Sequence, residues 1–222
     1  MKQLVASIMC GDQLNLKAEL EGLLEAGINW LHCDVMDGVF VNNLAMGPYD
    51  IEAIQQVDGF TLDVHLATVT PDKYIEMYGP LKPDYITFHI ETSENPQKSI
   101  DLIKSFECKV GLAFSPETPV SEVEPYLDQI DLLLVMTVNP GFAGQQFNES
   151  VLNKLKELTD IFVTMEGPRP LVEVDGNIYS ETIEKMSAYE VDLYVLGTSA
   201  LFREDCLSYT EKAERLNEVI NL

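Results

Sequence analysis

Eight short apolar runs alternate with eight amphipathic segments along the chain, and this alternation narrows the fold more than any other feature. The runs fall at 4–9, 30–35, 60–65, 84–90, 108–114, 131–138, 170–175 and 192–196. The segments fall at 12–27, 48–57, 71–79, 96–105, 120–129, 149–163, 179–188 and 207–220. Residues 131–138, DLLLVMTV, are almost continuously apolar, as a parallel strand covered on both faces must be. Leu14, Leu16, Leu20, Leu23 and Leu24 mostly share one helical face, with Asp12 placed to cap that helix and Gly27 to end it. Alternating strand and helix predicts a parallel sheet. Eight such units in 222 residues predict a single (β/α)8 TIM barrel over residues 1–222. An open doubly wound sheet is the alternative. It usually carries a glycine-rich first turn, and here that turn reads MCGDQ rather than GxGxxG.

Hydrophobic residues make up 46% of the chain, enough for a core of that size, and no stretch of eighteen is wholly apolar. The stretch MKQLVASIMCGD lacks the apolar centre and cleavage site of a secretion signal, so a soluble, cytoplasmic protein is expected. Cys10, Cys33, Cys108 and Cys206 show no CxxC spacing and read as reduced thiols. A formal charge of −23 argues against nucleic acid and against an anionic membrane as partners. The same field opposes an anionic substrate at long range, so local groups would have to hold one.

Chemistry in such barrels sits where the strands end. The stretch HCDVMDG at 32–38 places a His and two Asp at the end of the second apolar run. Burying that charge costs several kcal/mol unless it is paired or bound to metal. The chain has three histidines, His32, His65 and His89, and all fall near expected strand ends. His32 and Asp34, two apart, leave the same face of a strand. His65 closes TLDVH and Asp175 closes LVEVD. Two imidazoles and two carboxylates at one barrel mouth suit zinc, iron, cobalt or manganese. The competing reading makes each a hydrogen-bonded structural residue or a helix cap; His89 and Cys33 are assigned to that structural class. A second pattern lies in NPGFAGQ (139–145), DGN (175–177) and GTS (197–199), on consecutive expected βα loops. Glycine lets backbone N–H groups approach a phosphate closely. The competing reading is that these glycines only make tight turns.

Together these segments resemble the ribulose-phosphate 3-epimerase family. The resemblance runs through SIM (7–9), HCDVMDGVFV (32–41), LDVHL (62–66), ITFHIE (86–91), SPETP (115–119), VMTVNPGFAGQQF (135–147), EVDGNI (173–178) and LGTSALF (196–202). SIMCGD, TFHIET, PGFAGQ and GTSALF look closest to the D-allulose-6-phosphate 3-epimerase branch. The resemblance implies a metal-dependent 3-epimerase acting on a pentulose or hexulose phosphate. It implies one divalent ion, zinc first and iron, manganese or cobalt as alternatives, on His32, Asp34, His65 and Asp175. Asp34 and Asp175 match the paired catalytic acid and base. Ser7, His65, Met36 and Met136 match residues at the substrate. Gly141, Phe142, Ala143 and Gly144 match one phosphate-binding loop; Gly176 and Asn177 match a second, and Gly197, Thr198 and Ser199 a third. A homo-oligomer is also implied.

Four departures stand out. HLAT replaces HLMV, so Ala67 stands where the family usually has methionine. Ser115-Pro116 replaces NP, FVNN at 40–43 replaces FVPN, and Gly176-Asn177 replaces a glycine pair. Two other functions share much of this pattern. A sugar-phosphate decarboxylase would share the phosphate loops but normally carries lysine near strand three, where this chain has His65. A non-catalytic relative would bind a sugar phosphate without turning it over.

Overall fold

Eight parallel strands pair in chain order and close into a barrel, β1 meeting β8 through Gln3 with Leu193 to Ala6 with Leu196. The structure is a computed structural model and describes residues 2–142 and 144–221. The strands are β1 (Gln3–Ser7), β2 (Trp30–Met36), β3 (Thr61–Ala67), β4 (Tyr85–His89), β5 (Lys109–Phe114), β6 (Leu132–Met136), β7 (Leu171–Asp175) and β8 (Leu193–Leu196). Each begins and ends within two residues of the expected run. The helices are α1 (Leu16–Glu25), α2 (Pro48–Ile54), α3 (Pro71–Tyr78), α4 (Pro96–Ser105), α5 (Val151–Thr164), α6 (Ser180–Met186) and α7 (Tyr209–Ile220). None is long and apolar enough to cross a membrane.

Two expectations are corrected. The segment 120–129 is no α-helix but two 3-10 turns, Val120–Glu122 and Glu124–Tyr126. Pro125 sits in its middle, lacks an N–H and would clash with the carbonyl one turn earlier, so the segment is held to 3-10 turns. Val120, Val123 and Leu127 still bury their side chains against the barrel, which is the apolar spacing that suggested a helix. The first helix also starts later than expected. Asp12 caps a 3-10 turn over Gln13–Asn15, accepting from Leu14 N at 2.9 Å, and Leu14 is 95% exposed instead of facing the core.

The strand pleat divides the apolar residues into two sets. Leu31, Cys33 and Val35 of β2, with Leu62, Val64 and Leu66 of β3, pack outward with the helices. Val5, Trp30, Tyr85, Leu132, Leu134, Leu193 and Val195 form a separate cluster inside the barrel. At the end where the strands begin, the Trp30 and Tyr85 rings lie 5.2 Å apart, and Lys109 Nζ reaches Tyr85 Oη at 3.1 Å. The middle of the barrel is polar: His32, Asp63, Thr87 and Glu173 are fully buried there.

Gly111 makes room for that polar layer. A Cβ at this position would lie 1.9 Å from Thr87 Oγ1, the atom that donates to Asp63 Oδ1 at 2.5 Å. Gly111→Ala is therefore expected to destabilise the protein by about 1–3 kcal/mol through overpacking. In a chain of this size that reads as a melting temperature lower by roughly 2–12 °C. Thermal denaturation of the variant checks this; an unchanged midpoint would mean the layer can relax around the added methyl.

Candidate active site

Strand period places the site. On β2, His32, Asp34 and Met36 share the inward face. On β3 the register pairs Asp34 with His65 and Met36 with Ala67. On β7, Asp175 is the last strand residue and faces the same mouth. β2 and β7 are separated only by β1 and β8 around the barrel, so Asp175 comes back to meet the β2 and β3 side chains.

His32 Nε2 lies 3.1 Å from His65 Nδ1, 3.4 Å from Asp34 Oδ1 and 3.9 Å from Asp175 Oδ2. His65 Nδ1 lies 3.1 Å from Asp34 Oδ1. The donor atoms of all four residues lie within 4.8 Å of one another. Four donors bound tetrahedrally at zinc–nitrogen distances stand about 3.3 Å apart. The contacts of 3.1–3.4 Å among His32, Asp34 and His65 lie near that spacing and the 3.9 Å contact to Asp175 is wider, and the mix of two imidazoles and two carboxylates matches the donors of a divalent cation site. His32, Asp34, His65 and Asp175 are the residues that can hold such an ion.

Beneath this quartet lies more acid. His32 Nδ1 is 3.1 Å from Asp63 Oδ2 and 3.6 Å from Glu173 Oε1, the first of these out of line for a hydrogen bond. Asp63 Oδ2 and both Glu173 oxygens are buried without a hydrogen-bond partner. Burial pushes the Glu173 carboxyl up to about 8 and the Asp175 carboxyl up to about 6. Burial also works against an ionised Asp34, but His32 beside it outweighs that and holds the carboxyl below the usual range. His32 moves the opposite way: burial disfavours its cation, and Asp34, Asp63 and Glu173 together raise it well above the ordinary imidazole value. So many buried acids around one imidazole favour added positive charge, which fits a dication.

The cleft above the quartet gathers most of the expected residues. Ser7, Asp34, Met36, His65, Met136 and Asp175 line it. Gly141, Phe142, Gly144, Gly176 and Asn177 line it from the loops after β6 and β7. Gly197, Thr198 and Ser199 line it from the loop after β8. His32 lies below the floor, fully buried, and Ala143 lies outside the described residues. Ser7 Oγ donates to Asp34 Oδ2 at 3.2 Å. Ser199 Oγ donates to Asn177 Oδ1 at 2.6 Å, which ties the two loops together. Gly176 has φ +120°, and a Cβ there would lie 2.4 Å from Val138 Cγ2. Only glycine lets that backbone turn so close to the β6 loop.

Several residues in or near this cleft escaped the sequence reading. Met9 and Cys10 line it because β1 stops at Ser7 and a 3-10 turn over Ile8–Cys10 bends the chain over the mouth. Asp63 and Glu173 were missed although each stands two residues before a ligand candidate on its own strand, the spacing that paired His32 with Asp34. His89 is buried and hydrogen-bonded, as its structural assignment expected. Its Nε2 lies 2.9 Å from His65 Nε2, and its Nδ1 lies 3.0 Å from Glu91 Oε2.

The sequence pattern of the Ribulose-phosphate 3 epimerase family matches residues 3–202. The chain belongs to this family. It is 39% identical over 202 residues to the ribulose-phosphate 3-epimerase of Buchnera aphidicola subsp. Baizongia pistaciae, covering 90% of this chain and 88% of that one. It is 37% identical to the ribulose-phosphate 3-epimerase of Bacillus subtilis, covering 92% and 94%. As a member of an epimerase family the chain is an isomerase of sugar-phosphate metabolism. Solved structures add the fold alone. KGPDC from Streptococcus mutans superposes with a TM-score of 0.70 at 13% identity, covering 100% of this chain and 98% of that one. The 3-keto-L-gulonate-6-phosphate decarboxylase of Vibrio cholerae gives 0.71 at 11% identity, covering 99% and 97%. A decarboxylase thus shares the barrel, while the family match sets this chain among the epimerases.

Proposed function

We propose that this chain inverts C3 of a ketose phosphate, with D-ribulose 5-phosphate and D-xylulose 5-phosphate as the interconverted pair. The observation that carries the reading is the convergence of Asp34 and Asp175, from β2 and β7, with His65 on one cleft floor directly above His32. The relatives named above support the pentulose substrate.

Inversion requires that a proton leave C3 on one face and return on the other. Carbon beside a carbonyl is a very weak acid in water, so both the charge and the proton must be managed. One carboxylate takes the proton while the other, across the cleft, supplies one. In the reverse direction the roles exchange. Ser7 holds Asp34 by one oxygen, Oδ2, leaving Oδ1 among the imidazoles and fixing the rotation of the carboxylate. Met36, Met136 and Met9 give the cleft a polarizable, water-poor wall. The loops after β7 and β8 hold the phosphate through backbone N–H groups, which lets a chain of net charge −23 bind an anion with local donors. A divalent cation on the quartet, zinc first among candidates, would polarise the substrate carbonyl and make the C3 proton more acidic.

Ala67 favours a second reading of the substrate. It is fully buried and lines the cleft beside Met36. The short side chain leaves space for the extra carbon of D-allulose 6-phosphate, whose product would be D-fructose 6-phosphate. The test is exchange and inversion at C3, followed by NMR on ribulose 5-phosphate and allulose 6-phosphate side by side, with metal analysis of the same sample. No turnover of either compound, with binding retained, would overturn the enzymatic reading. Ala67→Met is expected to cut kcat/KM for the hexulose phosphate roughly tenfold more than for the pentulose phosphate. Equal losses on both would place the sixth carbon elsewhere.

A further inference from the structure

We infer that Glu91, acting through His89, fixes which nitrogen of His65 carries the proton and so presents the bare Nδ1 of His65 to the ion site. The inference rests on His65 being a ligand, as proposed above. It makes Glu91 and His89 positioning residues and draws on two sequence motifs, ITFHIE and SPETP, that the reaction itself leaves unused.

The hydrogen-bond chain allows little choice. Glu91 sits in the 3-10 turn that follows β4. Its Oε1 accepts from Ser115 N at 2.6 Å and from Thr118 Oγ1. Its Oε2 faces His89 Nδ1 at 3.0 Å. Two donors fixed on Oε1 hold the carboxylate in place, and a carboxylate only accepts. The proton of His89 therefore lies on Nδ1. A neutral imidazole then offers a lone pair at its other nitrogen, so His89 Nε2 is the acceptor in the 2.9 Å contact with His65 Nε2. His65 must donate from Nε2. That leaves Nδ1 of His65 without a proton, and Nδ1 is the atom 3.1 Å from both Asp34 Oδ1 and His32 Nε2.

The arrangement resembles the backing of a metal-bound histidine by a carboxylate, with a second imidazole inserted between the two. It also differs between the two candidate ligands. His32 has carboxylates directly behind it, Asp63 and Glu173. His65 has none in contact from behind and reaches Glu91 only through His89. The anchor of Glu91 extends further, since Lys154 of α5 donates to Ser115 O at 2.9 Å and to Thr118 O.

Glu91→Gln tests the inference by reversing one polarity at nearly constant shape. The Gln Oε1 keeps the Ser115 and Thr118 bonds, so its amide NH2 must face His89 Nδ1. His89 then carries its proton on Nε2 and donates to His65, whose own proton is driven onto Nδ1, into the ion site. Metal-free protein is titrated with Zn2+ against a competing chelator. The variant is expected to bind Zn2+ about 10–100-fold more weakly than wild type. Equal affinity would overturn the inference and leave the proposed function standing. A wild-type protein that fails to take up Zn2+ would overturn the inference together with the ion site it rests on, while C3 inversion measured on the same sample reports on the proposed function separately. A second measurement needs no variant to fold. The chain has three histidines, so 15N NMR of the Zn2+-loaded wild type reads every imidazole. The expected protons are on His89 Nδ1 and His65 Nε2; a proton on His89 Nε2 would overturn the inference.

Discussion

Asp175→Asn is expected to slow C3 epimerisation by about 1,000-fold or more, within or beyond the range that one positioned acid or base supplies. Measured on metal-free protein, the melting temperature should stay within roughly 4 °C of wild type, the equivalent of about 1 kcal/mol. The two effects separate because of where Asp175 stands. Its side chain is 20% exposed at the end of β7, whereas the Asp34 side chain is 5% exposed. Burial already pushes its carboxyl up to about 6, so exchange for a neutral amide of the same shape removes little native-state charge stabilisation. What the amide cannot do is take or give the proton. The scheme also makes a finer prediction. With Asp175 gone, Asp34 still reaches one face of C3, so one epimer should keep slow exchange of its C3 proton with D2O while inversion is lost. Deuterium incorporation read by NMR for each epimer checks both statements. Inversion retained above a tenth of the wild-type rate would take Asp175 out of the proton path.

The barrel was legible because its strands are buried on both sides. Runs such as DLLLVMTV have to be apolar throughout, and each is separated from the next by an amphipathic or turn-forming stretch. The 120–129 segment misled because apolar spacing at Val120, Val123 and Leu127 reports a buried face, which a pair of 3-10 turns presents as well as a helix does. Pro125 was the available signal. The quartet was legible as four polar residues at strand ends, but not as a cluster. Whether β2, β3 and β7 bring their last residues to one point depends on the stagger of the strands around the barrel, which no local pattern encodes. Asp63 and Glu173 were hidden for a related reason. They interrupt apolar runs in mid-strand, where a charged residue ordinarily marks a solvent-facing position, and only closure of the barrel turns that face inward. Glu91 was hidden by distance: its role depends on Ser115 and Thr118, more than twenty residues away on the next loop.

Asp34→Asn should abolish two properties at once, because the proposed mechanism gives this carboxylate both a proton to carry and a cation to ligate. A cation bound at about 1,000 times its dissociation constant stabilises the folded chain by about 4 kcal/mol. For a chain this size that corresponds to roughly 8–16 °C in melting temperature. Chelation of the wild type should therefore lower the midpoint by that amount and stop epimerisation, and added Zn2+ should restore both. In Asp34→Asn the Zn2+-dependent shift should shrink to roughly 2 °C or less, with turnover down by about 1,000-fold or more. The reason lies in the balance of charge around His32. Asp34 is the one carboxylate of the quartet that contacts both imidazoles within 3.4 Å. Ser7 Oγ, which donates to Asp34 Oδ2, can still satisfy an amide oxygen, so the fold should survive without the ion. The calorimetric and kinetic readouts then fail independently. A full Zn2+ shift with no turnover would assign Asp34 to proton transfer alone. Normal turnover in rigorously metal-free wild type would remove the cation from the reaction and leave the two carboxylates to do it unaided.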